Sequence, residues 1–306
     1  MLCATRKSNN QSAIAKWQSK ADAPFLCPEC GTEVVLRHGT ARMNCFAHKS
    51  PNSCQHAGGE TNDHRRCKLE TYQGLLRHPG VTDVQLERPL GTVRPDVGAN
   101  INGVPLAIEV QIISLSQETI IHRTKQHDRK GIYVLWLLQW TPYVDGTRYG
   151  PRLWEKWIHA AYFGRVYYWA KGPEVAPYRF EPYLIGVPES AWHSEDGKEM
   201  TAGGYGRKSK RRRTTIRDET LNLVKDFQPT QRDWWKAGDL TIPFAKLYIG
   251  RHGYSAQTFP SRKSQESKPN DPLLRVGSSK PYSFLSISLK LFPVSSRTVS
   301  SLVSER

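Results

Sequence analysis

The stretch RPDVGANINGVPLAIEVQII, residues 94–113, decides the fold of this chain. Two apolar-rich runs, residues 95–100 and 104–113, flank Asn102-Gly103, a dipeptide typical of tight β-hairpin turns. Apolar residues at every second position of the returning run indicate a strand face that packs against a core. The pattern therefore predicts two antiparallel strands joined by a short turn.

Two carboxylates fall on neighbouring strands of this hairpin, Asp96 before the turn and Glu109 after it. Such a pair can hold a Mg²⁺ ion, with a backbone carbonyl near Val110 as a third ligand, and the ion would activate a water molecule and polarise a phosphodiester. Glu109 and Gln111 share one strand face, because side chains alternate with a period of two residues. This order of acids and polar residue is the signature of the PD-(D/E)xK nuclease core, with Gln111 at the usual lysine position. Two acids on a solvent-facing strand edge give the same pattern.

The elements around the hairpin predict the fold class. Residues 62–77 place apolar side chains at helical spacing, and residues 116–129 form a second helical stretch with a serine near its start. A short strand is predicted at residues 84–88 and an apolar strand at residues 131–138. The order helix, strand, hairpin, helix, strand predicts an α/β (α+β) core with helices packed on a central sheet. With the acid signature, we expect a restriction-endonuclease-like PD-(D/E)xK core.

Three residues at the start of the first predicted helix are further candidates for the site. Glu60 suits the positive end of the helix dipole and could complete the metal shell, and a simple helix cap is the alternative. His64 and Lys68 lie four residues apart on one helix face and could meet phosphate. A solvated polar face is the alternative for both residues.

Two close pairs of metal-binding residues precede this helix, in the spacing C-x2-C-x14-C-x2-H. The pairs are Cys27 with Cys30 and Cys45 with His48. Thiolates and imidazole are the ligands that Zn²⁺ prefers, and four of them close a tetrahedral structural site. The strand at residues 32–37 and its partner near residue 46 would form a zinc-ribbon-like β-hairpin segment.

Details around these pairs sharpen the zinc prediction and leave one choice open. Gly31 suits the tight turn that aims both sulfurs of the first pair inward. Cys54 and His56 are spare donors that could replace His48 or Cys45. The alternative is two free buried thiols with an unrelated histidine.

The composition points to a polyanionic partner. The 306 residues contain 44 Lys+Arg and 28 Asp+Glu, a net charge of +16, which favours nucleic acid before an anionic membrane surface. No run of about 18 apolar residues exists, so no membrane span is expected. The N-terminus has no apolar segment typical of a secretory signal. We therefore expect a cytoplasmic protein, in which the six cysteines bind metal and do not form disulfides.

The composition shifts near residue 70, after the last cysteine, and again near residue 202, where a Gly-rich and then basic stretch begins. With the motifs, these shifts predict a zinc-ribbon-like segment at residues 1–57, a nuclease-like domain at residues 58–195 and a basic, largely disordered region at residues 196–306. Tryptophans and tyrosines interleaved with basic residues at 134–192 could stack the bases of a single strand, or simply form the core. The run RKSKRRR, residues 207–213, could contact phosphate or be a flexible solvated linker.

Taken in order, these motifs resemble the competence protein CoiA-like family over roughly residues 10–140. The family combines a zinc-ribbon-like N-terminus with a PD-(D/E)xK nuclease-like domain. Its CPxCG and H-F-A-H stretches resemble residues 27–31 and 45–48, with Cys45 in place of the first histidine. Its Gly-Glu-Ser-x-x-His helix start resembles residues 59–64, and its R-P-D-V and I-E-x-Q stretches resemble residues 94–97 and 108–111.

The resemblance implies a role with incoming or processed DNA. It adds Arg94, from the R-P-D-V stretch, and Arg123, from the family's arginine-containing helix, to His64 and Lys68 as candidate DNA contacts. Possible protein partners are those of DNA uptake or recombination. Residues after about 200 match nothing in the family.

These observations support three hypotheses. In the first, the protein is a Mg²⁺-dependent deoxyribonuclease in which Asp96 and Glu109 bind the metal, Glu60 assists and Gln111 orients water or phosphate. Glutamine cannot stabilise a developing negative charge as lysine does, so turnover is less secure than metal binding. The second hypothesis is a non-catalytic DNA-binding adaptor of DNA uptake or recombination. The third is a zinc-dependent protein-interaction module.

Overall fold

The computed structural model describes residues 1–39, 42–50, 54, 60–112 and 114–251. Over these residues the architecture is mixed α/β, with strands predominating. The helices are α1 (Asn62–Leu76), α2 (Gln117–Arg129) and α3 (Leu153–Ala161). Short 3-10 helices lie at Ala15–Trp17, Lys20–Asp22 and Pro142–Asp145. No helix in this part of the chain has the length and apolarity needed to cross a membrane.

The strands of the described residues are numbered in chain order. They are β1 (Cys3–Arg6), β2 (Ser12–Ile14), β3 (Phe25–Leu26), β4 (Glu33–Arg37), β5 (Cys45–His48), β6 (Val81–Leu86), β7 (Val97–Ile101), β8 (Val104–Gln111), β9 (Tyr133–Gln139), β10 (Val166–Lys171), β11 (Glu174–Val187), β12 (Ser190–His193), β13 (Glu199–Ala202), β14 (Tyr205–Arg217), β15 (Leu221–Asn222), β16 (Phe227–Arg232), β17 (Trp235–Ala237), β18 (Leu240–Ile242) and β19 (Ala245–Gly250).

A five-stranded antiparallel sheet holds the N-terminal segment, in the order β2-β1-β3-β4-β5. The predicted hairpin of β4 and β5 is confirmed, and three shorter strands extend it. Phe25, Val34 and Phe46 are buried beneath the sheet, with the rings of Phe25 and Phe46 4.9 Å apart. The added strands have two to four residues, too few for a periodic pattern to reveal them.

The central sheet has the order β14-β11-β10-β9-β8-β7-β6 along its main path. The predicted order of helix, strand, hairpin, helix and strand is confirmed. The hairpin of β7 and β8 is antiparallel, and β9 lies parallel to β8 on one side and β10 on the other. Thr61 and Ser116 cap α1 and α2, because each hydroxyl accepts a hydrogen bond from a backbone N–H of the first turn. The predicted end of the second hairpin strand at residue 113 falls outside the described residues.

Central strands are buried on both faces, as in a sheet covered by helices. On β9, Leu135, Trp136 and Leu137 are consecutive and fully buried. Trp136 donates its indole N–H to Thr124 Oγ1 on α2, at 3.0 Å. This explains why the sequence shows an apolar run in β9 and not an alternation. Several tryptophans of the aromatic region therefore belong to the core, whereas Trp140 and Trp192 are exposed.

The region from residue 199 differs from the predicted disorder. Seven strands, β13 to β19, lie between residues 199 and 250. The basic strand β14 pairs with β11 over most of its length, and β19 contacts β9 in parallel register. Leu223, Phe227 and Leu247 anchor this region, since each is buried. These apolar residues are spread through a polar sequence, which is why composition alone suggested a disordered tail. Residues 252–306 lie outside the described part.

Candidate functional site

One candidate metal centre lies beside β5, the last strand of the N-terminal sheet. Three thiols and one imidazole place their ligand atoms within 4.8 Å of one another, from Cys27, Cys30, His48 and Cys54. The Sγ atoms of Cys27 and Cys54 are 3.9 Å apart, and Cys30 Sγ lies 3.4 Å from His48 Nε2. Sulfur ligands at about 2.3 Å from a tetrahedral zinc ion lie about 3.8 Å from one another. The cluster thus has the spacing and donor chemistry of a Cys3His zinc site.

One ligand of this cluster corrects the predicted set, because Cys54 stands where Cys45 was expected. Cys45 and His48 are three residues apart on β5, so their side chains point to opposite faces of the strand. His48 shares its face with the buried Phe46, and Cys45 is not in the group whose ligand atoms lie within 4.8 Å of one another. The alternative donor Cys54 completes the set, while His56 lies outside the described residues.

The turn that carries the first pair is shaped for thiolate ligands. Gly31 has a φ of +69°, and its N–H donates to the Cys27 carbonyl at 2.9 Å. A hydrogen bond from the Thr32 hydroxyl is the main cause that lowers the pKa of Cys30 to about 6. Burial raises the pKa of Cys27 to about 11. A bound zinc ion would hold these ligands as thiolates and, with four protein ligands, would have a closed structural shell.

A second candidate centre surrounds the ammonium of Lys68, which α1 points into the protein. Lys68 is fully buried and donates hydrogen bonds to Glu60 Oε1, at 2.5 Å, and to Glu87. Asp96 Oδ1 lies 3.4 Å from the same nitrogen. Burial acts to lower the pKa of Lys68, but the carboxylates, Glu87 foremost, raise it above its usual value. Lys68 therefore stays charged and offsets part of the negative charge of an acidic cluster.

Within this acidic cluster, Glu60, His64 and Asp96 place their ligand atoms within 4.8 Å of one another. Asp96 Oδ2 accepts a hydrogen bond from the Val110 N–H at 2.9 Å and lies 3.4 Å from His64 Nε2. Burial acts to raise the pKa of Asp96, but Lys68 and His64 hold it well below its usual range. Glu60 Oε2 is buried and accepts no hydrogen bond from the described residues. The two carboxylates suit Mg²⁺, and the imidazole also suits first-row ions.

Glu109 belongs to a different set of contacts from the one predicted. It is fully buried on β8, where Arg123 pairs with one carboxylate oxygen and His127 Nε2 lies 2.6 Å from the other. Both partners are on α2. Glu109 is not part of the Glu60–His64–Asp96 group, and its pairing with Asp96 around one ion stays a prediction. Arg123 connects the two sets electrostatically, since it also lowers the pKa of Asp96.

Two further predicted site residues, Gln111 and Arg94, lie near these groups of contacts. Gln111 ends β8, is nearly buried, and lines a hollow of about 440 Å³. Arg94 lies close enough to Glu87 to contribute to lowering the pKa of that carboxyl. Arg94 is thus beside the acidic cluster, whereas Gln111 faces a separate concavity.

Sequence reasoning missed Glu87 and His127, both fully buried and charged or polar. Glu87 follows β6 with a φ of +51° and accepts hydrogen bonds from the backbone N–H groups of Leu2 and Cys3, at 2.9 and 3.1 Å. Burial acts to raise the pKa of Glu87, but Lys68 is the main cause that lowers it to about 2. The non-repetitive sequence around Glu87 carries no spacing signal. His127 does lie four residues after Arg123 on one helix face, which could have indicated a shared partner.

Comparisons with known proteins place both centres within matched regions. Residues 6–57 match the family model described as Competence protein CoiA, N-terminal domain, and residues 60–149 match Competence protein CoiA, nuclease-like domain. The Competence protein CoiA of Bacillus subtilis (strain 168) is 31% identical over 117 residues, which cover 37% of this chain and 31% of that relative. The aligned part thus spans about a third of the relative's length. No solved structure matches the chain.

Proposed function

We propose, from the premise that this chain belongs to the competence protein CoiA family over residues 6–149, that it is a metal-dependent nuclease-like protein acting on DNA. The family gives it a nuclease-like domain and a connection with competence. Hydrolysis of DNA phosphodiester bonds is the proposed activity. The matched ranges support a zinc-ribbon-like segment at residues 1–57 and a nuclease-like domain that begins at residue 58.

The observation that carries the proposal is the group of Glu60, His64 and Asp96. Its ligand atoms lie within 4.8 Å of one another, on an α1 helix start and a β7–β8 hairpin. Asp96 precedes β7 and accepts a hydrogen bond from the Val110 N–H of the neighbouring strand β8, which supports the expected PD-(D/E)xK arrangement. The low pKa of Asp96 keeps it ionised at neutral pH, as a metal ligand must be.

The chain's own residues would divide the work as follows. Glu60, His64 and Asp96 would hold a divalent ion, which when bound supplies a more acidic water and charge for the phosphodiester. Lys68 holds two of these carboxylates in place from the buried side. Arg123, one third exposed at its side chain, is positioned to meet a phosphate next to the group. Thiolate zinc ligands require a reducing compartment, which supports the cytoplasm as the place of action.

Cleavage of linear DNA by the purified full chain with Mg²⁺ or Mn²⁺ tests this function. Asp96→Asn and Glu60→Gln should each lower the cleavage rate by about 100-fold or more, because each removes a charged ligand. Asp63→Asn is the matched control, since Asp63 lies on the same helix start but is half exposed and paired with Arg66 at 2.9 Å. Cleavage at the wild-type rate in both site variants would refute the assignment.

A non-catalytic DNA-binding adaptor is the second candidate, and a specific observation favours it. Lys68 already pairs with the carboxylates of the acidic cluster, while Glu109 is paired with Arg123 and His127. A metal ion must therefore compete with a buried ammonium for Glu60 and Asp96. Absence of cleavage with every metal tested, together with tight and salt-sensitive DNA binding, would favour the adaptor.

A further inference from the structure

Strand β14 carries the highest density of positive charge in the described part of the chain. Its thirteen residues include seven Lys and Arg and no acid. The pairing of β14 with β11 is interrupted between the pairs Pro182↔Arg213 and Leu184↔Lys208. Over this interval β14 advances by five residues and β11 by two. Three extra residues of β14 therefore leave the ladder. We call residues 209–212 the basic bulge.

Hydrogen bonds fix the conformation of the basic bulge. Ser209 Oγ accepts a hydrogen bond from the Arg212 N–H at 3.0 Å, and the Arg213 guanidinium donates to the carbonyls of Ser209 and Arg212. Arg213 and Tyr149 exchange two backbone hydrogen bonds, of 2.7 and 2.9 Å. The loop that carries Arg148 is thus tied to the bulge. This is an ordered projection, not the flexible linker that the sequence also allowed.

Two adjoining hollows flank the basic bulge and share Arg148 and Arg212 in their walls. One has a volume of about 600 Å³ and is lined by Arg148, Ile185 and residues 207–212. The other, of about 440 Å³, includes Arg152 and the aromatic rings of Tyr143 and Tyr149. Six basic side chains line the first hollow, and within the described residues none of them forms an ion pair: Arg148, Arg207, Lys208, Lys210, Arg211 and Arg212.

The second hollow reaches the same end of the sheet as the acidic cluster. Gln111 and Leu138 line it where the parallel strands β8 and β9 finish. Asp96 precedes β7, which is antiparallel to β8, and is bonded to the Val110 N–H next to Gln111. In open α/β sheets, ligands bind at the carboxyl ends of the strands. A chain of phosphates leaving the acidic cluster could therefore pass Gln111 and continue to the basic bulge.

We propose that the basic bulge and its two hollows form a docking surface for single-stranded DNA, an inference that rests on the proposed function and names its substrate-binding path. Uncompensated arginines and lysines attract the phosphate backbone. Tyr143 is 83% exposed on the second hollow, so its ring is free to stack on an unpaired base, whereas the bases of a duplex are stacked on one another. Strand β14 lies outside both regions that match the family.

Fluorescence anisotropy with a labelled 20-nucleotide single strand and its duplex, without added divalent ion, measures this binding apart from cleavage. The bulge variant combines Lys210→Gln, Arg211→Gln and Arg212→Gln. Each lost single-strand phosphate contact changes the salt slope by about 0.7, which is about 5-fold in affinity at 0.1 M salt. Three losses should weaken single-strand binding by roughly 100-fold and reduce the slope by about 2.

The matched control removes the same charge elsewhere, with Lys171→Gln, Lys198→Gln and Lys236→Gln, all exposed and outside both hollows. Tyr143→Ala is an independent test that leaves the charge unchanged, and it should weaken single-strand binding by about 5-fold or more. An unchanged affinity and salt slope in the bulge variant, or an equal loss in the control, would overturn the surface. A loss confined to the duplex would overturn the single-strand assignment. If the bulge variant loses single-strand binding as expected while the Asp96→Asn variant cleaves DNA at the wild-type rate, that result would support the docking surface and refute the proposed metal group.

Discussion

Replacement of Lys68 by methionine should strongly destabilise this protein, because it removes a buried cation enclosed by three carboxylates. Lys68 Nζ contacts Glu60 and Glu87 directly and lies 3.4 Å from Asp96. Lys68 and Glu87 are fully buried, so water cannot replace the lost charge. Methionine keeps a similar length of side chain and leaves the carboxylates to repel one another.

The pKa of Glu87 sets the magnitude of the effect. It is lowered to about 2, against about 4.3 for an unperturbed glutamate, and each pKa unit corresponds to about 1.4 kcal/mol. The ionised, paired Glu87 thus contributes about 3 kcal/mol to the free energy of unfolding at neutral pH. Removal of one partner from a buried ion pair typically costs about 3–5 kcal/mol. We expect Lys68→Met to lower the free energy of unfolding by about that amount at pH 7.

Urea unfolding followed by circular dichroism at pH 7 and pH 3 provides the assay. A carboxyl whose folded pKa is lowered contributes stability above its unfolded pKa and loses it as the pH falls towards the folded pKa. The difference between wild type and Lys68→Met should therefore shrink at pH 3. Lys171→Met, at an exposed position, should change stability by less than about 0.5 kcal/mol. A loss below about 1 kcal/mol at pH 7, or an equal loss at both pH values, would refute the reasoning.

Three further predictions concern the zinc cluster, the acid limit of stability and Glu109. Cys54→Ser should lose bound zinc while Cys45→Ser retains it, as measured by elemental analysis of the purified chains. Of these two cysteines, only Cys54 has its sulfur within the cluster. The melting temperature of the wild type should fall as the pH drops from 5 to 2, where Glu87 becomes protonated. Glu109→Gln should lower the free energy of unfolding by about 2–4 kcal/mol in urea titrations, because it leaves Arg123 beside a neutral amide.

Each of these has a result that would contradict it. Zinc loss in Cys45→Ser with full zinc in Cys54→Ser would restore the ligand set expected from spacing alone. A melting temperature that does not change between pH 5 and pH 2 would show that Glu87 is not paired in the folded state. Wild-type stability of Glu109→Gln, with DNA cleavage abolished, would make Glu109 a catalytic ligand and not a structural ion-pair partner.

Local patterns predicted most of the central fold. The helix at residues 62–77 and the strand at residues 104–113 are observed as Asn62–Leu76 and Val104–Gln111. Apolar spacing and the Asn102-Gly103 turn depend only on neighbouring residues, and both glycine and asparagine of that turn have a positive φ. Local patterns failed where buried apolar residues are sparse, as in the strands after residue 199, because residues so far apart form no visible period.

The candidate site was predictable in its residue types but not in its partners. Glu60, His64, Lys68 and Asp96 come together as their positions on a helix start and a hairpin suggested. The alternation of side chains along a strand also explains why Cys45 is not in the cluster with His48. Two residues in a C-x2-H spacing lie on opposite faces when both belong to one strand. That rule applies only once residues 45–48 are known to be a strand and not a turn.

The sequence by itself therefore determined the order of elements, the zinc-type donors, the acidic residues and the resemblance to the CoiA-like family, because these depend on spacing along the chain. Tertiary structure decided which charges face each other. Glu87 is 19 residues from Lys68 and His127 is 18 from Glu109, distances over which no local rule selects a partner. A buried charge must find an opposite charge wherever the fold brings one near, since leaving it unpaired is costly. The same packing turned a basic run that resembled a linker into an ordered strand with a projecting bulge.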